Sequence, residues 1–595
     1  MSKDKSGRSR TTSYLKTLFQ ILKPHIFWLI FYVLLSTALS VLVVISVPIR
    51  SYFIDTVLEQ QNTAQTILAL LLLNLFIIFL IRYGFPALQN HLDKLIIYWV
   101  SLDVKYAIAK KKAAIRWSYY EDPEINDKFE LIKDAPDCIW LYFKSIIGVC
   151  STAISTIGIF IIMKRLGVYF VAFLFLLFIP IVYYSIQAGR GYYNTWERTA
   201  KLRRYCNYQR DVMMDKEYAT ERTLFGYVPF FLKRWEKDYQ QTRTLSIQEE
   251  LRGSKKVQIA GAIFCLYIGA MVFVIINRLA EGQITAGDAV SLLSILPLLI
   301  NNMIVTTSNQ INQIVRAKRV VEAWMDFEIL EDEEDAFDLP KRDGDFYEIV
   351  FNKVSFRYPQ TSQWVLKNVD MRLEKGKHYA IVGENGAGKS TLIKLLLRLY
   401  LVSEGEILID GKNINDIPRA QLLSLVTVLF QDHQHYYTNV AENIGIGNIN
   451  YVHDRSRIIA SAKEANFHKR IENMPAGYET ILGAMNEGGV ELSGGEWQKL
   501  AITRLLMSPN PIKILDEPTA SMDPVFEYSL YQDFNSIMKN KTTITISHRL
   551  ASCKYADHIY VLDHGSICEQ GSHEKLMDDK KLYYKMYTTQ KEMYV

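Results

Sequence analysis

Residues 379–393 read Tyr-Ala-Ile-Val-Gly-Glu-Asn-Gly-Ala-Gly-Lys-Ser-Thr-Leu-Ile. A short apolar run feeds a glycine-rich turn and then a helical pattern that begins near Lys389. Gly383, Glu384, Asn385, Gly386, Ala387, Gly388, Lys389 and Ser390 match the phosphate loop G-x-x-x-x-G-K-[ST] in the strand–loop–helix setting that the motif requires. The glycines let backbone N–H groups curl around a phosphate, and the helix N-terminus adds positive potential. Lys389 reaches the outer phosphate oxygens, while Ser390, followed by Thr391, offers a hydroxyl to a divalent cation.

Working outward, Tyr347–Phe356 alternates like a strand, and Pro511–Leu515 reads as a second buried strand ending in Asp516 and Glu517. A carboxylate at the C-terminal edge of a strand beside a phosphate loop is where a Mg²⁺ shell needs one, and the next carboxylate is free to act as general base. Lys513 is out of place in a strand that should be buried. Further back, Leu492, Ser493, Gly494, Gly495 and Glu496 precede a helical pattern from Trp497 to Met507, which makes a second anion site. One phosphate loop suffices for one nucleotide, so the second site is expected to serve a nucleotide held by another copy.

The rest of the chain is of another kind. The 595 residues are 49% hydrophobic and 22% charged, which excludes a disordered chain. A net charge of +5 does not call for a nucleic-acid partner. Six cysteines with no CxxC pair read as reduced structural thiols. Six apolar stretches, 26–48, 66–88, 141–163, 167–186, 257–277 and 288–307, are long enough to cross a bilayer. Before them, Tyr14, Leu15, Leu18, Phe19, Ile21 and Leu22 fall at the spacing of an amphipathic surface helix.

Residues 83–140 carry eight Lys/Arg and residues 187–256 carry fifteen, whereas the opposite connections carry only Arg50, Lys164, Arg165 and Arg278. Both termini and the two long loops are therefore expected in the cytoplasm. Those loops should continue the membrane helices outward and turn near 119–124 and 221–226. The sixth span has a polar strip, Asn301, Asn302, Thr306, Thr307, Ser308, Asn309 and Asn312, suited either to a central cavity or to interhelical hydrogen bonds. The organisation expected is an N-terminal cytoplasmic or interfacial segment 1–25, an α-helical six-span transmembrane domain 26–315, a linker 316–345 and an α/β domain 346–595.

The phosphate loop, LSGGE at 492–496 and ILDEPTA at 514–520, in that order behind six spans, resemble the ATP-binding cassette (ABC) transporters, specifically the exporter-type half-transporter. The resemblance covers essentially the whole chain. It implies an ATPase coupled to transport, with ATP and Mg²⁺ as cofactors and a second copy of the chain as partner. By the same resemblance Tyr358 stacks on adenine, and Gln431 contacts Mg²⁺ and the attacking water. Asp523 communicates across the dimer, and His548 is the switch histidine near the γ-phosphate. Glu496 departs from the commoner glutamine, as Met522 and Pro524 depart from the commoner wording around Asp523.

The wordings DPEINDKFELIKDAP, KEYATERTLFG, QDHQHYY and LSGGEWQKLAITR resemble bacterial peptide and bacteriocin exporters, lantibiotic transporters among them. No cysteine precedes Cys138, so the chain is expected to export without trimming a leader. The expected function is ATP-driven export of a peptide or other amphipathic cargo from a bacterial cell membrane. Lipid flipping or multidrug efflux is the alternative on the same architecture. An ATP-gated regulator without cargo is the alternative of another class.

Overall fold

The computed structural model describes residues 21–58, 63–333, 345–359, 361–483, 488–517, 541–547 and 550–593. The segment proposed as an interfacial helix lies almost wholly outside them. The chain forms two compact units. The first is built from residues up to Ala113 together with Tyr120–Leu330, the second from Ala114–Tyr119 together with Glu331–Val595.

The first unit holds six helices long and apolar enough to span a membrane: α1 (Lys23–Leu58), α2 (Ala64–Ala114), α3 (Ala135–Met163), α4 (Val168–Arg198), α5 (Val228–Ala280) and α6 (Ala286–Glu328). They run well past the apolar stretches, and α6 extends through part of the stretch expected as linker. Between α2 and α3, Asp122 caps a short helix, Pro123–Ile132, by accepting the Glu124 N–H at 2.8 Å; proline in the first turn loses nothing there. Pro297 interrupts the ladder of α6, which widens into a π-turn over Asn301–Thr306. α5 closes tightly on α4 at Gly253, where an added Cβ would lie 2.7 Å from the Ala188 Cβ. One hydrophobic cluster of the unit joins Val47 of α1 to residues of α3, α4, α5 and α6, including Ile159, Phe264 and Leu299, and α2 buries Leu92, Ile96, Val100 and Val104.

The second unit holds two sheets. An antiparallel one has the order β2 (Leu366–Glu374), β1 (Glu348–Phe356), β4 (Glu404–Ile409), β5 (Lys412–Asn413). The other has the order β10 (Ser566–Gly571), β9 (His558–Asp563), β3 (His378–Gly383), β8 (Thr542–Ile546), β7 (Ile512–Asp516), β6 (Val426–Leu429). Its strands are parallel except β10. Helix α7 (Lys389–Leu396) follows β3, and α8 (Gly494–Met507) precedes β7. One hydrophobic core lies around α7 and the antiparallel sheet, and a second surrounds α8. Short parallel strands of β-branched residues covered on both faces are what such a sheet demands, and ligands belong at the C-terminal ends of its strands.

Candidate functional site

The phosphate loop and Asp516 flank the C-terminal end of β8. Ile546 of β8 is in register with Ile381 of β3 on one side and with Asp516 of β7 on the other. Gly383 turns the chain out of β3 at φ 153°, and a Cβ there would meet the Leu562 carbonyl oxygen at 2.2 Å. Only glycine allows that approach.

Lys389 is 5% exposed, and its Nζ donates to the carbonyls of Gly383 and Glu384, each at 2.8 Å. The ammonium is thus held inside the loop it belongs to. Burial pushes its pKa down, against the pull of Glu517 and Asp516. Asp516 is also buried, which raises its pKa together with the neighbouring Glu517, while a hydrogen bond from Ser390 works the other way. Ser390 and Asp516 therefore meet, which puts two hard oxygen donors at one point.

Glu517 adopts φ 50° and donates its N–H to the Ile546 carbonyl at 2.9 Å. A left-handed conformation outside glycine costs about 1–2 kcal/mol, and the β8 edge holds it in place.

Ser493, Gly494 and Gly495 form the entry to α8. Ser493 is the N-cap and Glu496 completes a capping box: the Ser493 N–H donates to Glu496 Oε2 at 2.9 Å, and the Glu496 N–H donates to Ser493 Oγ at 3.4 Å. The glutamate that departs from the commoner signature is thus a helix cap, a role open to Glu and Gln alike. Burial raises the Glu496 pKa, but the Ser493 N–H and Arg470, whose Nε lies 2.5 Å from Oε1, outweigh it and hold the carboxylate below its usual range. Arg470 had no signal in the sequence.

Tyr358 bonds through its hydroxyl to Thr391 Oγ1 at 3.2 Å, and its ring meets Phe356 and Tyr400 edge-on. It borders a cleft of about 1070 Å³ lined also by Arg357, Arg398 and Ser403. Asn385, Gly386, Ala387 and Gly388 complete the loop, and Gln431 is exposed two residues after β6. Asp523 and His548 lie outside the described residues.

Lys513 finds its explanation here. It is 1% exposed, and its Nζ donates to the carbonyls of Leu505 at 3.0 Å and Ser508 at 2.5 Å, at the C-terminal end of α8. Those carbonyls lack helical partners, so the buried amine satisfies them. Burial, with Lys541 adding and Glu464 opposing, brings its pKa down to about 7.

In the membrane unit, residues of the polar strip of α6 make interhelical hydrogen bonds. Ser308 accepts from Ser185 Oγ at 2.9 Å and Asn302 reaches Ser155 Oγ at 3.4 Å. Ser308, Asn309 and Asn312 also line a cavity of about 490 Å³ beside Tyr192, Glu250 and Arg316.

Comparison with known proteins agrees with this geometry. The ABC transporter family profile matches residues 366–520. The subtilin transport ATP-binding protein SpaT of Bacillus subtilis is 29% identical over 499 residues, which is 82% of this chain and 79% of that protein. The ATP-dependent lipid A-core flippase of Chromobacterium violaceum is 32% identical over 60% of each chain. ABC transporter B family member 4 of Dictyostelium discoideum is 42% identical over 40% of this chain and 31% of its own length. The latter two matches thus cover less than two thirds of the relative. The solved structure of a bacterial Atm1-family ABC exporter with ATP bound superposes with a TM-score of 0.78, covering 96% of this chain and 98% of that one at 23% identity. With six membrane-capable helices ahead of a cassette that the ABC transporter profile matches, the chain is similar to ABC exporters in sequence and has the exporter fold, a multi-pass membrane protein and an ATPase coupled to transport.

Proposed function

We propose that the cargo is a peptide, exported by a homodimer in the cell membrane with both termini in the cytoplasm. One observation carries the cargo reading: the match to the subtilin transport protein spans four fifths of both chains, membrane segments included. The flippase match favours a second reading, lipid movement, over a shorter stretch. A homodimer follows from the cassette holding both halves of a composite site, the phosphate loop with its carboxylates and the Ser493–Gly495 turn.

In this mechanism Lys389 and the loop amides from Gly383 to Thr391 hold the outer phosphates of ATP, and Tyr358 borders its base. The joined Ser390 hydroxyl and Asp516 carboxylate fit Mg²⁺, which binds proteins through one or two oxygen ligands and completes its shell with phosphate and water. Held by Ser390 and Asp516, with Gln431 as the further contact that the family resemblance implies, Mg²⁺ would supply charge neutralisation on the phosphate oxygens. Glu517 takes the proton of the attacking water as general base. Ser493, Gly494 and Gly495 address the nucleotide of the second copy, with Asp523 and His548 acting at that junction.

The test is ATPase activity of the protein in liposomes, with and without modified peptides, lipids and hydrophobic dyes, against a Glu517→Gln blank. Stimulation by peptides alone supports the peptide reading. Stimulation by lipids alone moves the assignment to flipping, and a response to none of them refutes the peptide reading.

A further inference from the structure

Two of the wordings in the sequence, QDHQHYY at 431–437 and LSGGEWQ at 492–498, meet in space. The His435 imidazole lies flat on the Trp497 indole, centroids 4.2 Å apart and planes 6° from parallel. Tyr437 closes the edge of the same indole at 6.3 Å and 81°. Trp497 is 2% exposed, and its indole N–H has no hydrogen-bond partner. Ring contacts and packing, not a polar bond, therefore fix it.

The histidine segment is also tied to α8 two turns further along. Arg504 donates to the Gln434 carbonyl at 3.3 Å and to Asn443 Oδ1 at 2.9 Å, its guanidinium lying 4.6 Å from the Tyr436 ring centroid. Residues 497 and 504 are seven apart and share one face of the helix. The loop that begins at Gln431 is thus laid along α8 at two points, one of them in the turn that carries Ser493.

Burial lowers the His435 pKa and Arg504 adds to this, with Glu491 opposing. Burial thus favours the uncharged form of the ring on the indole. Stacked pairs of this kind contribute about 0.5–1.5 kcal/mol beyond their buried area.

We propose that His435 is a positioning residue for ATP hydrolysis, holding the Ser493–Glu496 turn in register with the Gln431 loop through its stack on Trp497. The inference rests on the cassette being an ATPase with composite sites. Gln431 serves the nucleotide on its own cassette and Ser493 the one on the partner, so the stack fixes the spacing between elements of two different sites. It leaves the phosphate loop untouched.

The experiment compares His435→Ala and His435→Phe with the intact protein in liposomes, reading kcat and KM for ATP. His435→Ala should lose about tenfold in kcat, the scale of a coupling energy between contacting residues, with KM within twofold. His435→Phe keeps a neutral ring on the indole and should recover kcat to within twofold. Wild-type kcat in the alanine variant overturns the inference. So does a phenylalanine variant as slow as the alanine one, or a loss that falls on KM. Wild-type turnover no faster than that of Glu517→Gln overturns the hydrolysis reading itself, and this inference with it.

Discussion

Lys513→Met removes a buried amine and should change how the stability of the cassette depends on pH. In the folded chain this amine titrates at about 7 because it is buried, whereas an exposed lysine titrates near 10.4. Between these values the unfolded chain binds one proton more than the folded chain, so folded stability rises with pH. Below about pH 7 both states are protonated and the slope vanishes. Each unit within the window contributes about 1.4 kcal/mol, and allowing for partial titration at both ends the gain from pH 7 to pH 9 is about 2 kcal/mol. Methionine has the reach without the proton, but it leaves the Leu505 and Ser508 carbonyls without this donor. That loss is about 1–3 kcal/mol at any pH. It opposes the gain from removing the charge at neutral pH, which at about 1.4 kcal/mol per unit is roughly 4 kcal/mol, so the difference in slope, not the offset, is diagnostic. Urea unfolding of the cassette in the solubilised full chain at pH 7, 8 and 9, followed by pulse proteolysis, measures it. Wild type should gain about 2 kcal/mol on the variant across that range; parallel pH profiles would refute the buried, neutralised amine.

Other outcomes follow from the same geometry. Gly383→Ala forces a methyl to within 2.2 Å of the Leu562 carbonyl, so ATP binding measured by equilibrium dialysis should be lost, accompanied by a lower unfolding midpoint. Glu517→Gln should keep ATP binding and slow steady-state turnover by about 10²-fold or more, the contribution of a general base. Glu496→Ala breaks the capping box and should lower cassette stability by about 0.5–2 kcal/mol in urea titrations, while Glu496→Gln should cost less than that.

Much of this was legible in the sequence because the signals are local. The phosphate loop, the strand ending at Asp516 and the six apolar stretches each declare themselves within a single short stretch of the chain. That the two basic loops continue the membrane helices was legible from their length, but the helix ends were not, since α5 is apolar only over about 257–277 and rich in charge from Lys233 to Lys256. Trp497 is 62 residues from His435, and Arg470 is 26 from Glu496; no periodicity links such pairs. Lys513 looked misplaced because the strand alone gives no sign that helix-end carbonyls await it. The helix that the pattern placed from Trp497 to Met507 begins at Gly494, because Ser493 and Glu496 cap each other across its first turn.

Helix α5 has a mechanical consequence. Its 53 residues contain no proline beyond the first turn, so at 1.5 Å per residue it is an unbroken rod of about 80 Å. The hydrocarbon core of a bilayer takes up only about 30 Å of that length. The tight approach of Gly253 to Ala188 lies close to where the apolar stretch begins, which makes it the natural pivot were the helix to tilt. From there to Val228 the outer arm is about 38 Å, so a tilt of about 10° swings its end through about 6–7 Å. A stiff lever of this geometry turns a small change of helix angle inside the membrane into a displacement larger than a side chain outside it.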